Sequence, residues 1–171
     1  ALEVRHVSWL EDKVFEELRS RDVTFCNIDQ PVLHDCIAPT GIVTSQQAYI
    51  RMHGRNAKNW FADKIEPYER YNYLYTTDEI REWSSRITEM SQKTDRILVY
   101  TNNHFSGQAV ANALQLKSIL LNQRLPMPTH LIKAFPVLKD VAMEQAVSKP
   151  EQPKPKSFGG QTGLLFDDSQ F

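Results

Sequence analysis

Short apolar runs recur along the chain, and stripes of apolar residues with helical spacing separate several of them. The runs at 2–6, 23–29, 49–53 and 97–104 have the length and the composition of β-strands. The helical stripes are Leu10, Val14, Phe15 and Leu18; Ile80, Trp83, Ile87 and Met90; and Val110, Leu114 and Leu121. Strands that alternate with helices predict an α/β fold with parallel strands joined by crossover helices.

Two of the predicted helices begin at a capping box, in which Ser or Thr is followed three residues later by Glu. Ser8 and Glu11 have this spacing and predict a helix that ends near Arg19. Thr76 and Glu79 have the same spacing before the second stripe.

The segment from Tyr49 to Asn56 changes character at its C-terminal end. Tyr49, Arg51 and His53 are polar and alternate with apolar residues, so a strand would present them on one face. Beyond the strand come Gly54, Arg55 and Asn56. Active sites of barrels and open α/β sheets form at this edge of the strands.

Every predicted strand ends in polar residues. They are Glu3, Arg5 and His6; Asn27 and Asp29; Arg51, His53 and Arg55; and Asn102, Asn103 and His104. By strand parity Glu3 shares a face with Arg5, and Arg51 shares a face with His53, so these side chains could converge on one ligand. The opposite charges could instead form an internal salt-bridge network.

These residues are compatible with several chemistries. Arginines match the oxygens of a phosphate or carboxylate, and Ser106 and Gly107 open a helix whose N–H groups favour an anion. Candidates for acid/base chemistry are Glu3, Asp29, His53 and His104. The same residues with His6 could bind a divalent metal, as in a metal-dependent enzyme that acts on nucleic acid or sugar, but no compact metal motif is present and the interleaved arginines would repel a cation. A non-catalytic interaction module is a further alternative, in which the salt bridges are only structural. Covalent catalysis is the weakest alternative, and the sequence names no cofactor.

Composition adds little about partners. A chain of 171 residues with 41% hydrophobic and 24% charged residues is typical of one globular domain, and a net charge of −1 gives no general attraction to nucleic acid. The two cysteines suit a reducing compartment, and no run approaches the roughly 20 apolar residues that span a bilayer. We therefore expect a cytoplasmic protein without a membrane segment.

The last residues differ in composition from the rest. Residues 148–171 are rich in Pro, Lys and Gly, which predicts a flexible tail after a domain at 1–147. Within it, Gln161, Leu164 and Phe166 fit the Gln-x-x-Leu-x-Phe pattern by which bacterial proteins dock on the DNA sliding clamp. At the other end the chain lacks an initiator Met, which suggests a piece of a longer chain.

Five segments together resemble one family. They are EVRHVSW at 3–9, NIDQP at 27–31, YIRMHGRNAKNW at 49–60, RYNYLYTTDEIREW at 70–83 and NNHFSGQAVANALQLK at 102–117. In this order they are similar to the YecE-like family, domain of unknown function number seventy-two. The resemblance implies a TIM-type barrel. That family has been likened to sugar isomerases, but the resemblance implies no established reaction.

The resemblance covers only the C-terminal half of that family. Its Gly-x-Ser-Gly-Trp opening has no counterpart here, so the expected fold is a half-barrel of the last four βα units. The strands at 49–53 and 97–104 would then be the seventh and eighth, whose loops often bind phosphate in TIM barrels. Gly54, Arg55 and Asn56 with Ser106 and Gly107 become a candidate phosphate cradle, and the open barrel edges predict self-association.

Overall fold

The computed structural model describes residues 1–144, and its centre is a parallel three-stranded sheet. The strands are β1 (Cys26–Asp29), β2 (Gln47–Met52) and β3 (Arg96–Thr101), in the order β1-β2-β3. Cys26 is the register partner of Tyr49, and Tyr49 is that of Leu98. The predicted α/β class with parallel strands is confirmed.

Within residues 1–144, five α-helices accompany the strands. They are α1 (Asp12–Ser20), α2 (Ala57–Trp60), α3 (Thr77–Ser91), α4 (Gln108–Leu121) and α5 (Thr129–Ala134). Two further strands, β4 (Leu125–Met127) and β5 (Ala142–Glu144), form a small parallel sheet that sequence reasoning did not predict. Short 3-10 turns lie at Val7–Trp9, Pro67–Tyr71, Phe105–Gly107 and Pro136–Leu138.

The main core lies between the sheet and helices α3 and α4. Ala48, Ile50 and Met52 on one face of β2 are fully buried and pack against residues such as Trp83 and Leu116. This period-2 burial is the pattern that the alternating sequence of β2 predicts. The helices therefore cover one face of the sheet, and Tyr49 and Arg51 point away from them.

The opposite face of the sheet is open at β3. Tyr100 is 54% exposed and Leu98 is 38% exposed, although both are large and apolar in character. The rings of Tyr49 and Tyr100 stack at 5.3 Å between centroids. Strand β3 is an edge strand within the described residues.

The first predicted strand is reduced to an extended segment with isolated bridges. Leu2 pairs in parallel with Phe25, and His6 forms an antiparallel bridge with Cys36. The Ile37 backbone N–H donates to the Arg5 carbonyl at 2.8 Å, which keeps this segment beside the residues that follow β1. Because its bonds are shared between two neighbours, no continuous ladder forms.

The capping box predicted at Ser8 and Glu11 is wrong. The backbone N–H of Ser8 donates to Nδ1 of His6, and a 3-10 turn forms at Val7–Trp9. Glu11 is extended, so helix α1 begins only at Asp12 and Glu11 makes no side-chain cap. The predicted capping box of Thr76 and Glu79 is confirmed at the start of α3.

The described residues include the helices, but they test neither the predicted location of the protein nor its predicted tail. None of the helices within residues 1–144 combines the length and the hydropathy that crossing a membrane requires. The cytoplasmic location stays a prediction. The tail at 148–171, with Gln161, Leu164 and Phe166, lies outside the described residues.

Candidate functional site

The polar residues at the strand ends divide into two clusters instead of meeting at one point. The first, here the Glu3 cluster, consists of Glu3, Arg5, Arg51 and His53. The second, here the Asp29 cluster, consists of Asp29, Arg55, Tyr75, Trp83 and Glu79. The alternation of side chains along the strands separates the two clusters. Arg51 lies on the face that points away from the helices, whereas Asp29 accepts a hydrogen bond from Trp83 of α3 on the other face.

Glu3 is the centre of the first cluster. Its Oε2 accepts a hydrogen bond from Nη1 of Arg51 at 2.5 Å, and its Oε1 accepts one from Nη2 of Arg5 at 2.9 Å. Nε2 of His53 lies 3.2 Å from the same Oε1. The carboxylate thus joins the N-terminal segment to the end of β2.

The charges of this cluster do not cancel. Burial would raise the pKa of Glu3, but the hydrogen bonds from Arg51 and Arg5 outweigh it and lower that pKa below its usual value. Burial, together with the charge of Arg5, lowers the pKa of His53 to about 4. At neutral pH two guanidinium groups therefore face one carboxylate and a neutral imidazole.

His53 is completely buried. Its Nε2 lies 3.2 Å from Oε1 of Glu3, which only accepts hydrogen bonds, and 3.4 Å from Nη2 of Arg5, which only donates them, so the two contacts favour opposite tautomers. Nδ1 has no hydrogen-bond partner in the described residues.

Aromatic rings continue the cluster towards the loops. The ring of Trp60 lies 6.1 Å from His53, and the guanidinium of Arg5 lies 5.7 Å over Trp60. Tyr71 lies 6.0 Å from His53 and 5.5 Å from His104, measured between ring centroids. Sequence reasoning missed Trp60 and Tyr71, although both fall within segments that carry the family resemblance.

Asp29 is saturated by donors in the second cluster. Its carboxylate accepts hydrogen bonds from Nε and Nη2 of Arg55, from the hydroxyl of Tyr75 at 2.9 Å and from Nε1 of Trp83 at 2.6 Å. The Asp29 side chain is fully buried. These contacts lock the Asp29 side chain between β1 and α3, where it supports the fold. Its carboxylate makes no hydrogen bond to Glu3 or His53 within residues 1–144, and only its backbone carbonyl accepts one, from the His53 N–H at 2.8 Å.

Arg55 is engaged in the same way. Its Nη1 donates to Glu79 at 3.1 Å, while the hydroxyl of Tyr73 donates to the same carboxylate oxygen at 2.7 Å. Burial would lower the pKa of Arg55, but the bonds and charge of Asp29 raise it further above its usual value. A guanidinium held by two carboxylates has little positive charge left to offer an anion.

The remaining members of the predicted phosphate cradle are dispersed. Nδ2 of Asn56 donates to the carbonyls of Glu69 and Asn72, which ties down the loop before α3. Ser106 is exposed with φ 48°, and Gly107 is the N-cap of α4 with φ 84°. No hydrogen bond within residues 1–144 joins Arg55 to either of them.

The two asparagines after β3 differ in role. Asn103 is fully buried, and its Nδ2 donates to the Tyr73 carbonyl and to Oδ1 of Asn112, which anchors the end of β3 to α4. The backbone N–H of Asn102 continues the ladder to Met52. Nδ1 of His104, an exposed residue, contacts the Asn102 carbonyl at 2.9 Å.

The histidines and carboxylates do not form a metal centre in this region. Residues 1–144 contain no group of three or more His, Cys, Asp or Glu side chains placed to hold a metal ion. Both cysteines are free thiols, and burial raises the pKa of Cys26 to about 12.

The fold and the site define the class of this protein: an α/β protein with a parallel sheet and a charged cluster at the strand ends. The family described as protein of unknown function DUF72 matches residues 1–133, and the chain belongs to this family. This is the family that the sequence motifs predicted.

Individual relatives agree with this assignment. The UPF0759 protein YunF of Bacillus subtilis (strain 168) is 26% identical over 129 residues, which cover 70% of this chain and 46% of that protein. The crystal structure of a DUF72 family protein from Thermotoga maritima MSB8 is similar with a TM-score of 0.65 and 39% identity. The match covers 70% of this chain and 45% of the Thermotoga chain. A second crystal structure, of a DUF72 family protein from Enterococcus faecalis V583, has a TM-score of 0.62 and 28% identity, and the match covers 73% of this chain and 47% of the Enterococcus chain. The chain thus spans about half the length of the relatives that it matches.

Proposed function

We propose that this DUF72 protein binds a small anionic ligand, such as a phosphorylated or carboxylated metabolite, at the Glu3 cluster. The observation that carries the proposal is the charge balance of the cluster, in which Arg5 and Arg51 face a single carboxylate while His53 is neutral. The excess positive charge lies at the C-terminal end of β2, the edge where parallel α/β folds bind ligands.

The two arginines are accessible to a ligand. Their side chains are 44% and 31% exposed for Arg5 and Arg51. Arg5 donates to Glu3 through Nε and Nη2, and Arg51 through Nη1, so each guanidinium keeps further N–H donors that bond to no acceptor among residues 1–144. Such donors match phosphate or carboxylate oxygens in a planar fork.

His53 supports the proposed site from behind. The imidazole is fully buried and its Nε2 lies 3.2 Å from Glu3 and 3.4 Å from Arg5, so it helps to position both side chains. Acid/base chemistry by His53 stays a prediction from the sequence, and a pKa of about 4 makes the imidazole a weak base at neutral pH.

The proposed architecture around the site is a half-barrel of the TIM type. Its support is the parallel order β1-β2-β3, the extended segment beside β1, and the match to about half of each solved family structure. The proposed sliding-clamp contact through the tail rests on the Gln161, Leu164 and Phe166 pattern alone. The metal-dependent alternative has no ligand set among residues 1–144.

Titration of the full chain with inorganic phosphate, followed by NMR or calorimetry, tests anion binding. We expect Arg51→Gln to weaken phosphate binding at least about tenfold, because a charge-assisted hydrogen bond contributes about 1.5–3 kcal/mol. Arg96→Gln is the matched control, since Arg96 is an exposed arginine at the start of β3, away from the site. Equal affinities for the wild type and Arg51→Gln would contradict the proposal.

A further inference from the structure

A cavity of about 450 Å³ adjoins the Glu3 cluster and belongs to no feature described so far. Arg5 forms part of its wall, together with the apolar side chains of Leu33 and Phe61 and with Cys36. Phe61 is 71% exposed, and its ring pairs with no other aromatic ring within residues 1–144. The volume falls within the range of about 300–1,000 Å³ that small-molecule sites occupy.

The charged groups on the cavity wall differ in their partners. The one carboxylate, Asp35, contacts Nδ1 of the exposed His34 at 2.8 Å. Arg5 contacts Glu3 and His53 and lies over the ring of Trp60, so it connects the cavity to the Glu3 cluster. An occupant would therefore meet positive charge at Arg5 and apolar surface at Leu33 and Phe61.

We propose that the ligand is an aromatic anion, whose anionic group binds Arg5 and Arg51 and whose flat apolar body lies in the cavity against Phe61. This inference rests on the anion site proposed above and adds the class of ligand. A body of this kind covers the exposed Phe61 ring and satisfies the aromatic preference for stacked or edge contacts. Ligands that carry only an anionic group would leave the cavity unused.

Three probes separate the two parts of the site: inorganic phosphate, phenyl phosphate and phenol. We expect phenyl phosphate to bind at least about tenfold more tightly than phosphate, because burial of a phenyl ring removes apolar surface from water. Phenol should bind more weakly than phenyl phosphate, because it lacks the charge that Arg5 and Arg51 recognise.

Substitutions at the wall locate the bound ring. Phe61→Ser should lower the affinity for phenyl phosphate to that for phosphate and leave phosphate binding unchanged. Val32→Ser is the matched control, because Val32 is an exposed apolar residue in the loop after β1 and does not line the cavity. Cys36 provides a direct readout, since its partly exposed thiol should react more slowly with a thiol reagent when phenyl phosphate is bound, whereas Cys26 is buried.

The possible failures are distinguishable. Equal binding of phosphate and phenyl phosphate, or an unchanged affinity in Phe61→Ser, overturns the aromatic ligand and leaves the anion site standing. If phenol binds as tightly as phenyl phosphate, the arginines do not contribute to binding in the cavity, and this result also overturns the aromatic anion. Absence of binding by both phosphates refutes the anion site itself. Slower Cys36 labelling at higher protein concentration without ligand would show that a second copy covers the cavity.

Discussion

Arginine residues have different roles in the Glu3 cluster and the Asp29 cluster. Arg51 and Arg55 are four positions apart, yet Arg51 shares one carboxylate with Arg5, whereas Arg55 binds two carboxylates of its own. The excess of positive charge at Glu3 is available to a ligand. In the Asp29 cluster the single guanidinium is outnumbered by carboxylates, and its contacts stabilise the packing of β1 against α3.

His53 should make the stability of the protein depend on pH. In the unfolded chain its pKa is about 6.5, and in the folded protein burial lowers it to about 4. Between these values the unfolded chain binds more protons, so acidification favours unfolding. We expect the free energy of unfolding to fall as the pH decreases from about 6.5 to about 4, by up to about 3 kcal/mol. Urea unfolding at a series of pH values measures this.

Two variants isolate the contribution of His53. His53→Gln cannot titrate and should flatten the dependence between pH 6.5 and 5. His104→Gln removes an exposed histidine and should leave the dependence as in the wild type. Parallel curves for the wild type and His53→Gln would show that another group is responsible.

At the scale of elements, the turn after β2 determines where the site residues lie. Gly54 has φ +93°, and its N–H donates to the Tyr75 hydroxyl at 2.8 Å. The conformation redirects the chain after His53, so that His53 remains in the Glu3 cluster and Arg55 enters the Asp29 cluster. Helix α3, with its confirmed capping box, supplies Glu79 and Trp83 to hold the second cluster.

We expect Gly54→Ala to destabilise the protein by at least about 2 kcal/mol, because a positive φ is strained for alanine. The added Cβ would also lie 2.7 Å from Cβ of Tyr73, which is too close without a backbone shift. Thermal and chemical denaturation measure the change.

Gly41→Ala is the matched control for this substitution. At Gly41 a Cβ would make ordinary contact with Cγ of Met90 at 3.7 Å, and φ is not in the positive region. Its effect should be neutral or slightly stabilising, since alanine restricts the unfolded chain. A loss of stability as large at Gly41 as at Gly54 would refute the conformational explanation.

At the scale of the whole molecule, the open face of the sheet is a large surface that no element within residues 1–144 covers. Tyr100 and Leu98 of the edge strand β3 are exposed on this face, opposite the face that α3 and α4 cover. Parallel strands are normally covered on both faces, so this surface favours association.

We expect the chain to form dimers or larger assemblies at micromolar concentration, measured by analytical ultracentrifugation. Tyr100→Lys should shift the distribution towards monomer, because it places a charge on the open face. Val32→Lys, which changes a residue that is 65% exposed in the loop after β1, should leave it unchanged. A monodisperse wild-type monomer with a sharp thermal transition would contradict this expectation.

Much of the fold could be read from the chain, because it depends on local patterns. The period-2 alternation in β2, the apolar stripe of α3 and the Thr76 capping box each involve neighbours in sequence, and the structure has them. The predicted stripe of α4 is wrong, because Val110 and Leu121 are exposed and the helix buries a face with Ala111 and Leu116 instead. The prediction failed at Ser8 and Glu11, where the bridge of His6 to Cys36 and a 3-10 turn shift the helix start.

The site could be predicted only in part, since residue types and strand parity identify candidates and not their partners. The sequence by itself determined the α/β class, the family and the joint position of Glu3, Arg51 and His53 at the strand ends. Only the tertiary structure decided that Asp29 and Arg55 saturate each other, that Trp60 and Tyr71 surround His53, and that a cavity opens beside Arg5. The physical reason is that charge compensation and burial depend on contacts between residues about 25 to 50 positions apart, and such contacts leave no local pattern.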